Sequence, residues 1–321
     1  MKHKEILVFG ASGHIGRHLI RKLTKNNFKV TAAVRNFHRK AYILKTQGNP
    51  GYLDIVETNI YDLEAVNSLV KKADICINLV GILYETKNNT FENIHSSFPS
   101  VLAKLCHENN LDQLIHVSAL GVEKALDSKY AKSKSNGEKL IKQNFLKSTI
   151  LKPSIVYSVD DNFTTNFMTL LSILPAFPLY YNGKTKFNPI HVSDLTEIIL
   201  QTINQKIYSN SIECCGPDTL TFKEIIQKLL NSIDKKRLLI PMPISLAKIS
   251  AKMIETFMSK PLITVDQLNL LKYDNTPTGD FKTNFDFNIN AEKKFEQEIE
   301  KYSYMWKDSG EYSKNKQINK L

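Results

Sequence analysis

The apolar run Ile6-Leu-Val-Phe9 passes directly into Gly10-Ala-Ser-Gly13-His-Ile-Gly16-Arg17, after which Ile15, Leu19 and Leu23 recur at helical spacing. Few other short stretches constrain a fold so strongly, because this one reads as buried strand, tight turn and helix in immediate succession. Gly10 supplies backbone angles the turn demands. Gly13 lets the main chain come close to a pyrophosphate, and Gly16 lets the helix pack tightly on the strand. The helix N-terminus then offers unpaired N–H groups and a partial positive charge to phosphates. Gly10, Ser12, Gly13, His14, Ile15, Gly16 and Arg17 are therefore candidate phosphate-binding positions. The competing reading is an ordinary glycine-rich turn, and the flanking strand and helix argue against it.

The pattern continues through the first half of the chain. Strands are expected at 28–34, 52–57, 74–80, 113–120 and 148–157. Helices are expected from Asp62, which is placed to cap its own helix, from Pro99, and over 128–143. Alternating strands and helices imply right-handed crossovers and a parallel sheet. Residues 160–188 read as irregular, aromatic and proline-bearing, and 170–181 as buried loop or lobe core. The alternation resumes at 189–194, with a helix to about 205, a strand at 211–215, and helices over 221–233 and 245–257. Leu246, Ile249, Met253 and Phe257 form one apolar stripe on the last of these, read as lobe core or as a docking face. The expected fold class is α/β: a Rossmann-type doubly wound parallel sheet with a smaller, mostly helical C-terminal lobe. Residues 1–158 form the nucleotide-binding core, 159–188 an insertion toward the lobe, 189–215 a return helix and strand, 216–307 the lobe and 308–321 a polar tail.

Composition narrows the remaining classes. The 321 residues contain no apolar run of about 20, so no bilayer-spanning helix is expected. The N-terminal Met1-Lys-His-Lys-Glu5 leads straight into the first strand, leaving no room for a cleavable signal peptide, and a cytoplasmic location is expected. Cys76, Cys106, Cys214 and Cys215 show no metal-ligand spacing and read as small buried hydrophobes. The net charge of +11 suits an anionic partner such as a membrane surface, an acidic protein or a phosphorylated ligand. No basic cluster is interleaved with aromatics, which argues against nucleic acid.

The end of the second strand separates the two nicotinamide cofactors, because an acid there bonds the ribose hydroxyls and repels a 2′-phosphate. That position carries Arg35, with no acid nearby, and Arg17 follows the last glycine. Two guanidinium groups suit a 2′-phosphate, so NADP(H) is favoured over NAD(H), although either arginine also reads as a solvated surface residue. Leu79-Val80-Gly81 closes the fourth strand where backbone passes close to a ribose, or simply turns. Tyr130 and Lys134 lie one helical turn apart, an arrangement in which the ammonium lowers the phenol pKa and holds the nicotinamide ribose while Tyr130 exchanges a proton. Lysines crowd that helix, so a chance pairing is the alternative. Pro153 and Ile155 end the sixth strand, either at the nicotinamide side of the cleft or as a structural turn. No metal site is expected.

Taken together, Gly10 to Arg17, Asn78-Leu-Val-Gly81 with Tyr84-Glu-Thr-Lys87 and Phe91, His116-Val-Ser-Ala-Leu-Gly121, Tyr130-Ala-Lys-Ser-Lys134 through Glu138, Pro189-Ile-His-Val-Ser-Asp194, Gly216 to Phe222, and Pro261-Leu-Ile-Thr-Val-Asp266-Gln267 with Leu270 to Asn275 resemble the short-chain dehydrogenase/reductase superfamily in its extended, atypical branch. The chain looks most like the dehydrogenase-like, nucleotide-binding accessory subunits of respiratory complex I and their bacterial relatives. The resemblance implies a largely structural NADP(H) and a place docked on a membrane-embedded NADH:quinone oxidoreductase, peripheral on the inner membrane face. It also exposes a departure. Active relatives carry Ser or Thr shortly after the fifth strand to polarise the substrate oxygen, and here Leu120 aligns there, with Ser118 two residues earlier as the other candidate. Tyr130 also follows that strand at a shorter interval than is usual in the branch. The alternative is an active NADPH-dependent reductase or epimerase using Tyr130 and Lys134 on a small carbonyl or nucleotide-sugar.

Overall fold

The computed structural model describes residues 4–257 and 264–312, so the 261–263 part of the Pro261 motif and 313–321 of the polar tail lie outside the described residues. Six strands follow one another in the first half: β1 (Glu5–Phe9), β2 (Lys29–Val34), β3 (Leu53–Glu57), β4 (Ile75–Asn78), β5 (Gln113–Val117) and β6 (Ser148–Pro153). The sheet runs β3-β2-β1-β4-β5-β6 and then takes in two later strands, Asn210–Cys214 and Lys282–Thr283. Every pairing is parallel. Strand order therefore reverses direction between β1 and β4, the switch point at which doubly wound sheets open a crevice beyond their carboxyl ends.

Between the strands lie α1 (His14–Lys25), α2 (Phe37–Lys45), α3 (Leu63–Val70), α4 (Phe98–Glu108) and α5 (Lys129–Asn144). Asp62 caps α3 through the Ala65 N–H at 3.0 Å, and Ser128 caps α5 through Ala131 N–H at 3.1 Å. The central strands are buried on both faces, as continuous apolar runs require in a covered parallel sheet. Leu7, Phe9, Val66, Cys76, Leu102, Leu114 and Ile141 join in one core on one side of it.

Three local expectations change. α2 is absent from the sequence reading, because Phe37-His-Arg-Lys has no clear apolar stripe. Helical structure also begins before Pro99, since a π-helical turn at Glu92–Ser97 leads into α4. The 160–188 segment is not irregular: it holds the helix Thr164–Ile173 and the strand Ala176–Tyr180, whose prolines mask the strand pattern.

Two compact units divide the chain. The first comprises 1–153, 195–214 and 279–289, and carries the eight-stranded sheet. The second comprises 154–194, 215–278 and 290–321. Its core gathers Tyr157, Met168, Phe177, Phe222, Ile226, Leu229, Phe295 and Trp306 from helices Thr164–Ile173, Phe222–Ser232 and Phe295–Ser303 and adjacent segments. Among the described side chains of the helix Ile244–Phe257, the buried ones are Ala247 and Ala251, which pack against Leu268. Leu246, Ile249 and Met253 face outward, each more than half exposed, so they are not lobe core. The Phe257 side chain lies outside the described residues.

Candidate functional site

The glycine turn sits at the switch point. Gly10 leaves β1 with φ +78°, and a Cβ on it would lie 2.9 Å from the Leu79 carbonyl carbon at the end of β4. A Cβ on Gly16 would lie 2.4 Å from the Ala11 oxygen, so the first turn of α1 packs against the loop only without one. The Gly13 N–H donates to the Gly10 oxygen at 3.0 Å, and the Arg17 N–H donates to the Gly13 oxygen at 3.1 Å. Gly13 is the N-cap of α1 and no side chain caps that end. The result is a tight backbone cradle at a helix end that no side chain caps, which fits a pyrophosphate. Ser12, His14, Ile15 and Arg17 around it are partly buried.

At the ends of β2 and β3 lies a cleft of about 760 Å³ lined by Arg35 and Glu57, with Tyr61 and the carboxamides of Asn59, Asn88, Asn89 and Asn93. Glu57 corrects the expectation that Arg35 has no acid beside it. The sequence hides this carboxylate because it arrives from β3, whose Glu57 is in register with Val34. The Tyr61 hydroxyl donates to the Asn88 carbonyl at 3.1 Å and holds the 86–89 turn at the cleft.

The other end of the crevice is built from β4, β5 and α5. Lys134 is buried and its ammonium donates to the Val117 carbonyl at 3.1 Å; burial lowers its pKa to about 8, against a raising pull from Glu138. Its Nζ lies 5.9 Å from the Tyr130 ring centre. A Cβ on Gly81 would sit 3.6 Å from that same Nζ, so the backbone after β4 faces Lys134. Tyr130 packs edge-on against His95 and Phe91, with ring centres 5.2 and 5.8 Å away.

His95, which sequence reasoning missed, fixes this corner. Its Nε2 accepts the Ile82 N–H at 3.1 Å, which assigns the ring proton to Nδ1 and makes that atom the donor to Ser133 Oγ at 3.0 Å. Ser133 in turn donates to the Tyr130 carbonyl at 2.8 Å. Burial, helped by Lys134, lowers the His95 pKa to about 2, so the ring is neutral.

Ser118 does not face outward as a free hydroxyl. It is buried and donates to Glu138, which pairs with Lys152 at 2.8 Å, and Lys152 also meets Glu123. Lys152 is wholly buried, with its Nζ 4.2 Å from the Phe281 ring centre. Burial raises the Glu138 pKa to about 7, against the Ser118 hydrogen bond and nearby lysines, and lowers that of Lys152 to about 8. Leu120 is buried and its N–H donates to the Pro153 carbonyl at 3.0 Å. The one signal for this network in the sequence is a lysine directly after the apolar pair Ile150-Leu151 in β6. Ile155 packs into the core of the second unit. The four cysteines are buried thiols. Among the described residues, no helix is long and apolar enough to cross a membrane.

Residues 10–173 match a family described as NAD(P)H-binding. The chain is 26% identical over 284 residues to the mitochondrial 40 kDa subunit of NADH-ubiquinone oxidoreductase from Neurospora crassa, covering 88% of this chain and 74% of that protein. It is 29% identical over 285 residues to the mitochondrial NADH dehydrogenase [ubiquinone] 1 alpha subcomplex subunit 9 of Dictyostelium discoideum, covering 88% and 79%. A ceramide reductase of Caulobacter vibrioides matches over less of each chain, 59% and 57%, at 25% identity. Among solved structures, the dTDP-glucose 4,6-dehydratase DesIV of Streptomyces venezuelae, with NAD and TYD bound, superposes with a TM-score of 0.71 at 15% identity, covering 93% of this chain and 95% of that one. The structural likeness shows the Rossmann-type fold alone. The wider coverage of the respiratory-subunit relatives favours a reading as a nucleotide-binding subunit over one as a reductase.

Proposed function

The chain belongs to the NAD(P)H-binding family, and from that premise we propose that it holds NADP(H) mainly as a structural ligand and serves as an accessory subunit in the assembly or stability of a respiratory NADH:quinone oxidoreductase. The Gly10, Ser12, Gly13, His14, Ile15, Gly16 and Arg17 turn takes the pyrophosphate, with Arg17 and Arg35 toward the 2′-phosphate. Leu79, Val80 and Gly81 flank the adenine-side ribose, Tyr130 and Lys134 the nicotinamide ribose, and Ser118 and Pro153 border that end. NAD(H) is the alternative ligand. The bound nucleotide stabilises the native state by mass action, since the unfolded chain has no site for it.

The observation that carries this reading is the fate of Ser118. Its hydroxyl is committed to Glu138, and Leu120 follows it with no group able to polarise a carbonyl. A binding crevice is thereby retained while the hydroxyl a reductase would use is diverted. The partner surface is read from the second unit, where Leu246, Ile249 and Met253 stand exposed beside Lys248 and Lys252, as a face on a neighbouring subunit or an anionic membrane surface needs.

The test is purification from membranes with and without detergent. Co-purification with quinone-oxidoreductase subunits, and nucleotide that survives incubation with carbonyl compounds, are expected. Turnover lost on Tyr130→Phe would establish the reductase instead.

A further inference from the structure

We infer that Glu57 tempers the preference of this crevice for a ribose 2′-phosphate, opposing Arg35 so that NAD(H) is admitted beside the favoured NADP(H). This deepens the cofactor reading above and rests on it. Thr58 N–H donates to the Val34 carbonyl at 2.8 Å, and Glu57 is in register with Val34, so Arg35 and Glu57 leave neighbouring strands at the same level of the sheet edge. Both line the same cleft, and the other lining residues are uncharged carboxamides and a phenol.

The Glu57 carboxylate has a fixed job in that cleft. Its Oε2 accepts the Phe37 N–H at 3.2 Å, at the N-terminus of α2, whose first turn contains no acid of its own. An anion is favoured at that place by the helix dipole and the unpaired amides. The chain supplies it from β3, so a ligand phosphate arriving there finds the amide already served and a like charge alongside. Arg35 attracts the phosphate and Glu57 repels it. A ribose hydroxyl, by contrast, can donate to the same carboxylate and accept from the asparagine amides. The opposition therefore lowers NADP(H) affinity selectively and leaves NAD(H) affinity intact.

Glu57→Gln separates charge from geometry, because the amide oxygen can still accept the Phe37 N–H while the negative charge is gone. Titrating the full chain with NADPH and with NADH, followed by fluorescence or calorimetry, is expected to show NADPH binding about five- to tenfold tighter in the variant, with NADH unchanged or weaker. The gain shrinks between roughly 0.05 and 0.5 M salt, since both charges are exposed. Arg35→Gln is expected to move the ratio of the two affinities the other way. An unchanged ratio in Glu57→Gln, with both nucleotides still bound, overturns the role of Glu57 alone. Failure of the unaltered chain to bind either nucleotide overturns the cofactor reading and this inference with it.

Discussion

The two ends of the crevice in the first unit are built on opposite principles. The β1–α1 end is made of backbone: glycines whose Cβ atoms would collide, and a helix terminus without a side-chain cap. The β5–α5 end is made of buried charge: Ser118, Glu138, Lys152 and Glu123 in one chain of contacts, with Lys134 held against the Val117 carbonyl. A backbone cradle does one thing, which is to meet a phosphate. A buried ionic chain at the place where a reductase needs a free hydroxyl satisfies itself instead of a substrate. On the proposed reading, the contrast separates binding from turnover: the cradle serves the first, and the hydroxyl that the second would need is taken up in packing.

The comparison breaks most decisively at Lys152. Replacing it by methionine strands Glu138 and Glu123 without their cation, and is expected to cost about 3–5 kcal/mol in denaturant unfolding while leaving the phosphate cradle untouched. A loss under 1 kcal/mol would mean the ionic chain is not what holds that end. Gly16→Val attacks the opposite end. Its Cβ would press on the Ala11 oxygen, and nucleotide affinity is expected to fall about 100-fold or more, with a smaller loss of stability.

The charged end also predicts a pH dependence. Glu138 has its pKa raised from 4.5 to about 7 in the folded chain. The folded state therefore holds that proton more tightly than the unfolded one. The associated stabilisation is present below pH 4.5 and is lost as pH rises through about 7. Glu138→Gln is expected to flatten the stability profile over that window by about 1–3 kcal/mol, read from melting or denaturation at several pH values. The smallest effect is expected at Ser118→Ala, about 1 kcal/mol of stability and a further rise in the Glu138 pKa, since the lost hydroxyl is one of the groups holding it down.

How much of this was legible in the sequence follows the same division. The glycine turn was legible because backbone constraints are local: Gly10, Gly13 and Gly16 lie within seven positions. So were the first six strands of the sheet, from their apolar runs, and the cap at Asp62. Glu57, His95 and the Lys152 network were not, because each acts through partners 13 to 38 positions away or on another strand. No local period marks a carboxylate that reaches from the end of β3 to the start of α2. α2 escaped because its residues carry little apolar contrast, and Leu246, Ile249 and Met253 show that an apolar stripe reveals a helix without saying which side is buried.

The most direct test of the central claim is to release and identify the nucleotide carried by the natively purified chain, by mass spectrometry, before and after incubation with candidate carbonyl substrates. The account predicts a nicotinamide nucleotide at close to one per chain, predominantly NADP(H), that is neither oxidised nor lost during incubation. A chain that carries none and takes up neither NADPH nor NADH on titration would contradict it.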